Sequence, residues 1–88
     1  MSDSKLPSVG SLKSAMVKVL GLNGGQGSNS EILEWVSQEL ELDPKTLAVM
    51  RSGNRTEVAY RLAWARTQAR KEGLILRSGP SKWSLRTK

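Results

Sequence analysis

The sequence predicts a mainly α-helical domain with one small β-hairpin at its C-terminal end. Three observations carry that prediction. Val58, Leu62, Ala65 and Ala69 recur at spacings of four, three and four residues, one stripe of a 3.6-residue helix. Gly73 follows Arg70, Lys71 and Glu72, at the position where a left-handed residue ends a helix. Two short apolar runs, Leu74-Ile75-Leu76 and Lys82-Trp83-Ser84-Leu85, then flank an Arg-Ser-Gly-Pro-Ser turn, which is a hairpin signal.

Taken in chain order, residues 1–7 are expected to be a flexible N-terminus ending at Pro7, and residues 8–88 a single domain. Ser8 or Ser11 can open a first helix running through Leu22, with Val9, Leu12, Met16, Val19 and Leu20 towards the core. The Gly-rich stretch 22–29 breaks it. Three glycines in four residues resemble a phosphate-cradling loop, but no Gly-Lys-Ser/Thr follows, so a flexible inter-helix loop is expected. Ser28 and Glu31 form a capping box for a second helix, with Ile32, Leu33, Val36 and Leu40 inward, Trp35 near the edge, and Glu34, Glu39 and Glu41 facing water. Asp43-Pro44 starts a third, short helix with Leu47, Val49 and Met50 on its apolar side. Arg51-Ser52-Gly53-Asn54 is a turn. The long helix follows, from about 57 to 72, capped by Asn54 with Glu57 as its reciprocal partner, or by Thr56.

In the hairpin, Trp83 and Leu85 alternate with Lys82, Ser84 and Arg86, so one face is buried and one is wet. A two-stranded hairpin is marginal alone and needs the helix to cover its Trp83 face. A positioning helix, a turn, a long helix and a hairpin, in that order, form the layout of a winged helix-turn-helix with recognition helix and wing.

Composition narrows the function. The chain has no Cys and no His, which removes disulfides, thiolate metal sites and the commonest metal ligand and general base. No metal or other cofactor is expected, and no catalytic constellation can be assembled from the remaining carboxylates, lysines and hydroxyls. No apolar run reaches 18 residues and the first residues lack a signal-peptide core, so a cytoplasmic protein without a membrane span is expected. Net charge is +6, unevenly placed: residues 1–50 carry four Lys against six Asp/Glu, a net −2, and residues 51–88 ten Lys/Arg against two Glu, a net +8. Such a split is the electrostatic footprint of a polyanion-binding half.

The string Tyr60-Arg61-Leu62-Ala63-Trp64-Ala65-Arg66, then Lys71-Glu72-Gly73-Leu74, then Lys82-Trp83-Ser84-Leu85-Arg86-Thr87, with Ser52-Gly53 ahead of them, resembles the N-terminal domain of Mrr-type restriction proteins. That family runs roughly Asn-Arg-x-x-Trp-Ala, a Lys-x-x-Gly-Leu helix end, and a Gly-x-Trp-x-Leu-Thr wing. Tyr60 stands where the family usually has Asn, and Ser81 where it often has Gly. The resemblance implies a winged-helix DNA-binding domain that usually precedes a separate nuclease domain; none lies in these 88 residues, so any nuclease activity is expected to need a domain outside this chain.

Double-stranded DNA is therefore the expected partner. The long helix would enter the major groove, with Arg61, Thr67, Gln68 and Lys71 facing base edges and Arg55, Arg66 and Arg70 on phosphates. Arg77 and Lys82 on the wing (74–86), with Arg86, would meet the backbone or a minor groove. Trp64 is expected to pack under the hairpin or on another helix. The alternative is a winged-helix protein-interaction module, with Tyr60, Trp64 and Trp35 as an aromatic anchor and the basic half on an acidic partner. Exposure of Trp64 separates the two: a buried Trp64 favours DNA and an exposed one a protein groove. RNA is a third choice, weakened by the scarcity of aromatic side chains for stacking.

Overall fold

The structure, a computed structural model, describes residues 6–86. Its elements in chain order are α1 (Val9–Leu22), β1 (Gln26–Ser28), α2 (Asn29–Glu39), α3 (Pro44–Leu47), β2 (Met50–Ser52), β3 (Arg55–Thr56), α4 (Glu57–Lys71), β4 (Ile75–Gly79) and β5 (Lys82–Leu85). The helix boundaries follow local chemistry. Ser8 Oγ accepts from Ser11 N–H to start α1, and Ser28 and Glu31 form both halves of the capping box of α2. Asp43 caps α3, with Pro44 at its first position. Of the two candidate caps for α4, Thr56 takes the role, its Oγ1 accepting from Ala59 N–H at 3.2 Å. At the other end of α4, Gly73 has φ +78; its N–H donates to Arg70 C=O and that of Leu74 to Ala69 C=O, a Schellman end.

The core is built by α1, α2 and α4. Leu12, Met16, Val19 and Leu20 of α1 pack with Ile32 and Val36 of α2, Leu62, Ala65 and Ala69 of α4, and Ile75 of β4. Ala65 and Ala69 are fully buried, so the backbone of α4 comes close to its neighbours with little side chain between. Lys13 Nζ bonds Glu72 at 2.8 Å, tying α1 to the end of α4.

The sheet departs from the expectation of a two-stranded hairpin. It has three antiparallel strands in the order β1-β5-β4. The stretch expected to be a flexible loop supplies β1, with Gln26 opposite Ser84, Gly27 opposite Trp83 and Ser28 opposite Lys82. Gly27 is required there, because a Cβ on it would lie 2.5 Å from Trp35 Cζ3. Trp35 is thus a half-buried lid over β1. The wing turn is Pro80-Ser81, with Ser81 at φ +57 and the strand register shifted between Arg77 and Gly79. Element order and sheet together are those of a winged helix.

Two further expectations are revised. The short helix is a single turn whose apolar side is open: Val49 and Met50 are exposed, while Leu47 is half-buried. A one-turn helix has too little surface to pack three apolar side chains at once. The turn after it is a two-stranded ribbon, β2 with β3, reversing at Gly53 (φ +55). Of residues 1–7, Leu6 and Pro7 are half-buried, and the remaining five lie outside the described residues, as does Thr87 of the wing motif.

Candidate nucleic-acid interface

Helix α4 turns its Val58–Leu62–Ala65–Ala69 stripe inward, which dictates what faces out. At 100° per residue, Tyr60, Ala63, Trp64, Thr67 and Lys71 lie opposite that stripe, with Gln68 and Arg70 on its two flanks. Thr67, Gln68, Arg70 and Lys71 are exposed. Thr67 Oγ1 donates to Ala63 C=O at 3.1 Å, leaving its lone pairs free to accept. Trp64, expected to be packed, is 49% exposed. The cause is the close seating of α4 on its alanine stripe, which leaves the large indole on the outer side. Arg55, Tyr60, Ala63, Trp64 and Thr67 line a shallow depression on this face. Trp35 does not belong to it, so the expected three-membered aromatic anchor reduces to Tyr60 and Trp64.

Arg61 sits at the rim of the buried stripe and is held there. Its Nε donates to Glu57 Oε2 at 2.6 Å and its Nη1 to Pro7 C=O at 3.1 Å. Glu57 also accepts from Arg51 Nη1 at 3.3 Å, and the Arg51 guanidinium lies 4.0 Å from the centre of the Tyr60 ring. The Arg61 hydrogen bond holds the Glu57 carboxyl below the usual carboxylate range, against the opposing effect of its desolvation, and Arg51 adds to the lowering. Arg51, Glu57 and Arg61 therefore form a clasp joining β2, the start of α4 and the N-terminal segment. Arg61, expected on sequence to face the groove, is thus engaged in the clasp, and Arg51, in the expected turn, joins it; the Glu57/Arg61 spacing of four is the signal in the sequence.

The remaining cations behave differently. Arg66 is half-buried, its guanidinium 5.9 Å from the Trp83 ring centre. Burial, and secondarily the charge of Arg55, push its pKa below the ordinary arginine value, although it stays charged at neutral pH. Arg77 stands opposite Trp83 in the strand register, and so on the same face of the sheet. Its Nε donates weakly to Gly79 C=O at 3.4 Å. Trp83 itself is anchored: its Nε1 donates to Asn29 Oδ1 at 2.7 Å, while Asn29 N–H donates to Ser81 C=O at 2.8 Å. Arg66, with Arg55 close enough to act on its charge, thus lies where α4 meets the wing, and Arg77 stands on the same sheet face as Trp83. Among the described residues, no carboxylate pairs with these three arginines, nor with Arg70, Lys71, Lys82 or Arg86. Among the described residues, Lys13, Lys18, Arg51 and Arg61 are the cations that make ion pairs.

Among the described residues no group of three His, Cys, Asp or Glu is placed to hold a metal, and no helix is long and apolar enough to cross a membrane. What the geometry defines is a small winged-helix domain whose last helix and wing share an unneutralised cationic junction. The chain belongs to the Mrr N-terminal domain family, which matches residues 11–88 and so takes in every element from α1 to the wing. That places it in the context of restriction systems. Neither a curated protein nor a solved structure matches the chain.

Proposed function

We propose that this domain binds double-stranded DNA, as the DNA-reading part of a restriction-type protein. Helix α4 enters the major groove and the β4–β5 wing follows the backbone. The observation that supports this most directly is the pair of Arg55 and Arg66, which among the described residues has no carboxylate partner. Like charges held together, one of them partly desolvated, are unfavourable in the free protein, and an anion between them relieves both the repulsion and the loss of solvation. Backbone phosphates supply that anion. In this reading Arg55, Arg66 and Arg70 hold phosphates beside α4, and Arg77, Lys82 and Arg86 hold them along the wing. Thr67, Gln68 and Lys71 face base edges. Arg61 leaves the contact set because the clasp with Glu57 already engages it.

Fluorescence anisotropy with duplex DNA over a range of salt concentrations tests the proposal. Six phosphate contacts predict a loss of roughly a thousandfold in affinity between ~50 and ~200 mM salt. The variant Arg55→Ala/Arg66→Ala removes two of them and lowers the salt slope by about 1.8. A slope unchanged in the variant refutes the placement of phosphates at the junction. Absence of duplex binding by the unaltered chain at low salt refutes the DNA reading.

Exposure of Trp64 supports a second reading, a protein-interaction module anchored by Tyr60 and Trp64 with the basic half against an acidic partner. By the Trp64 criterion alone a protein groove is favoured; the desolvated Arg66 beside Arg55, with no carboxylate partner among the described residues, weighs on the side of DNA. Trp64→Ala separates the two: it leaves the salt slope intact if phosphates dominate binding, and abolishes association with an acidic protein partner if the indole is the anchor.

A further inference from the structure

A second surface differs from the first in every respect that decides its partner. Between α2 and α3 runs an open groove with Leu33, Leu42 and Leu47 half-buried along it. Its walls include Glu34 and Glu41, both exposed and neither ion-paired among the described residues. Ser37 adds little polarity, since its Oγ donates back to Leu33 C=O at 2.7 Å. Among the described residues, no Lys or Arg lines the groove. The lining positions on α2 and just beyond it recur every three or four residues, so one whole side of this 11-residue helix, about 16 Å long, forms a straight wall.

We propose that this groove docks a basic amphipathic helix of a partner protein. A straight apolar trough beside a helix matches the spacing of anchors three and four residues apart on an incoming helix. The two unpaired carboxylates select Lys or Arg flanking those anchors and disfavour acidic helices. They also repel phosphate, so duplex DNA does not occupy this surface. A second copy of the chain is a poor occupant: α1, α2 and α4 each bury their apolar stripe in their own core and leave no free amphipathic helix to offer. The domain then has two faces of opposite charge, one for DNA and one for a protein, able to be filled independently.

The test uses the full chain, ¹⁵N-labelled, titrated with a synthetic amphipathic helix of Leu and Lys, and with the same peptide carrying Glu in place of Lys. Amide shifts centred on Leu33, Ser37, Leu42 and Leu47 are expected with the Lys peptide, and binding about tenfold weaker with the Glu peptide. Glu34→Lys/Glu41→Lys, two changes at exposed positions, is expected to reverse that order. Equal binding of the two peptides, an order unaffected by the charge reversal, or no groove shifts at millimolar peptide overturns the proposal. Groove shifts on dilution without peptide overturn it in favour of a second copy, and groove shifts caused by duplex DNA overturn it in favour of nucleic acid. Loss of duplex binding at α4 leaves it standing, because the groove does not depend on the DNA reading.

Discussion

Gly27→Ala probes the contact that orients the wing. Gly27 lies in β1, opposite Trp83 of β5, with the Trp35 ring across it. A methyl group at this position would sit 2.5 Å from Trp35 Cζ3 and 2.9 Å from Cη2. Carbon atoms prefer about 3.5–4.0 Å, so the ring or the strand must retreat by roughly 1 Å. Trp35 has room on one side, where Val19, Leu22 and Asn23 border an open depression, so the strain is shared between a ring shift and a displaced strand. Overpacking of this kind costs about 1–3 kcal/mol. For a domain of this size each kcal/mol is worth about 4–8 °C, so thermal unfolding followed by circular dichroism should show a fall of at least ~4 °C. Because β1 carries β5, amide exchange at Trp83 and Ser84 should also accelerate. A Trp35→Leu background removes the clash, and Gly27→Ala should then cost less than half as much, the non-additivity expected of residues in contact. A fall under about 1 °C, or strict additivity with Trp35→Leu, would refute the close approach as the reason for glycine here.

Glu57 is held below its ordinary value of 4.5 mainly by Arg61, so its ion pairs stabilise the fold above that pH and fade as pH falls through the lowered value. Glu57→Gln should therefore be less stable than the unaltered chain at neutral pH, with the gap closing in acid; a pH-independent gap in urea midpoints contradicts the clasp. Ser81 occupies the left-handed region at φ +57, so Ser81→Gly should raise stability by about 0.5–1 kcal/mol, the relieved strain less the added freedom of the unfolded chain; a lower urea midpoint counts against it. Trp83→Phe removes the hydrogen bond to Asn29 and should cost about 0.5–1.5 kcal/mol while loosening β5, read as faster exchange of the Asn29 and Trp83 amides.

What was legible in the sequence was the chemistry that acts over three or four residues. Ser8, the Ser28/Glu31 box, Asp43-Pro44 and Gly73 mark helix ends because each side chain or conformation satisfies backbone groups a turn away. The inward stripes of α1, α2 and α4 were legible for a related reason: helical periodicity is set by the backbone alone. Strand β1 was not, since its partner lies more than 50 residues further on and its Gly-rich sequence carries no alternation. The open side of α3 was missed because apolar residues in a one-turn element signal burial only when a neighbour is there to cover them. Glu39 shows the converse: read as a solvated carboxylate, it is half-buried and bonded to Lys18 at 2.7 Å across from α1.

The sequence by itself determined a small mainly α domain, its helix limits, its hairpin and the concentration of positive charge after residue 50, all of which follow from local geometry and counting. Only the tertiary structure decided which of those charges are free. Helical projection puts Arg61 and Arg66 on opposite flanks of α4, and both looked available. Folding brings Glu57, Arg51 and Pro7 C=O to the first, and to the second the Trp83 ring and Arg55, with no carboxylate among the described residues. Whether a guanidinium is a structural tie or a waiting anion site depends on what packs against it. Packing is a property of elements distant in the chain, which is why the cationic junction and the exposed Trp64 emerge only once α4 is seated on its alanines and the wing is paired with β1.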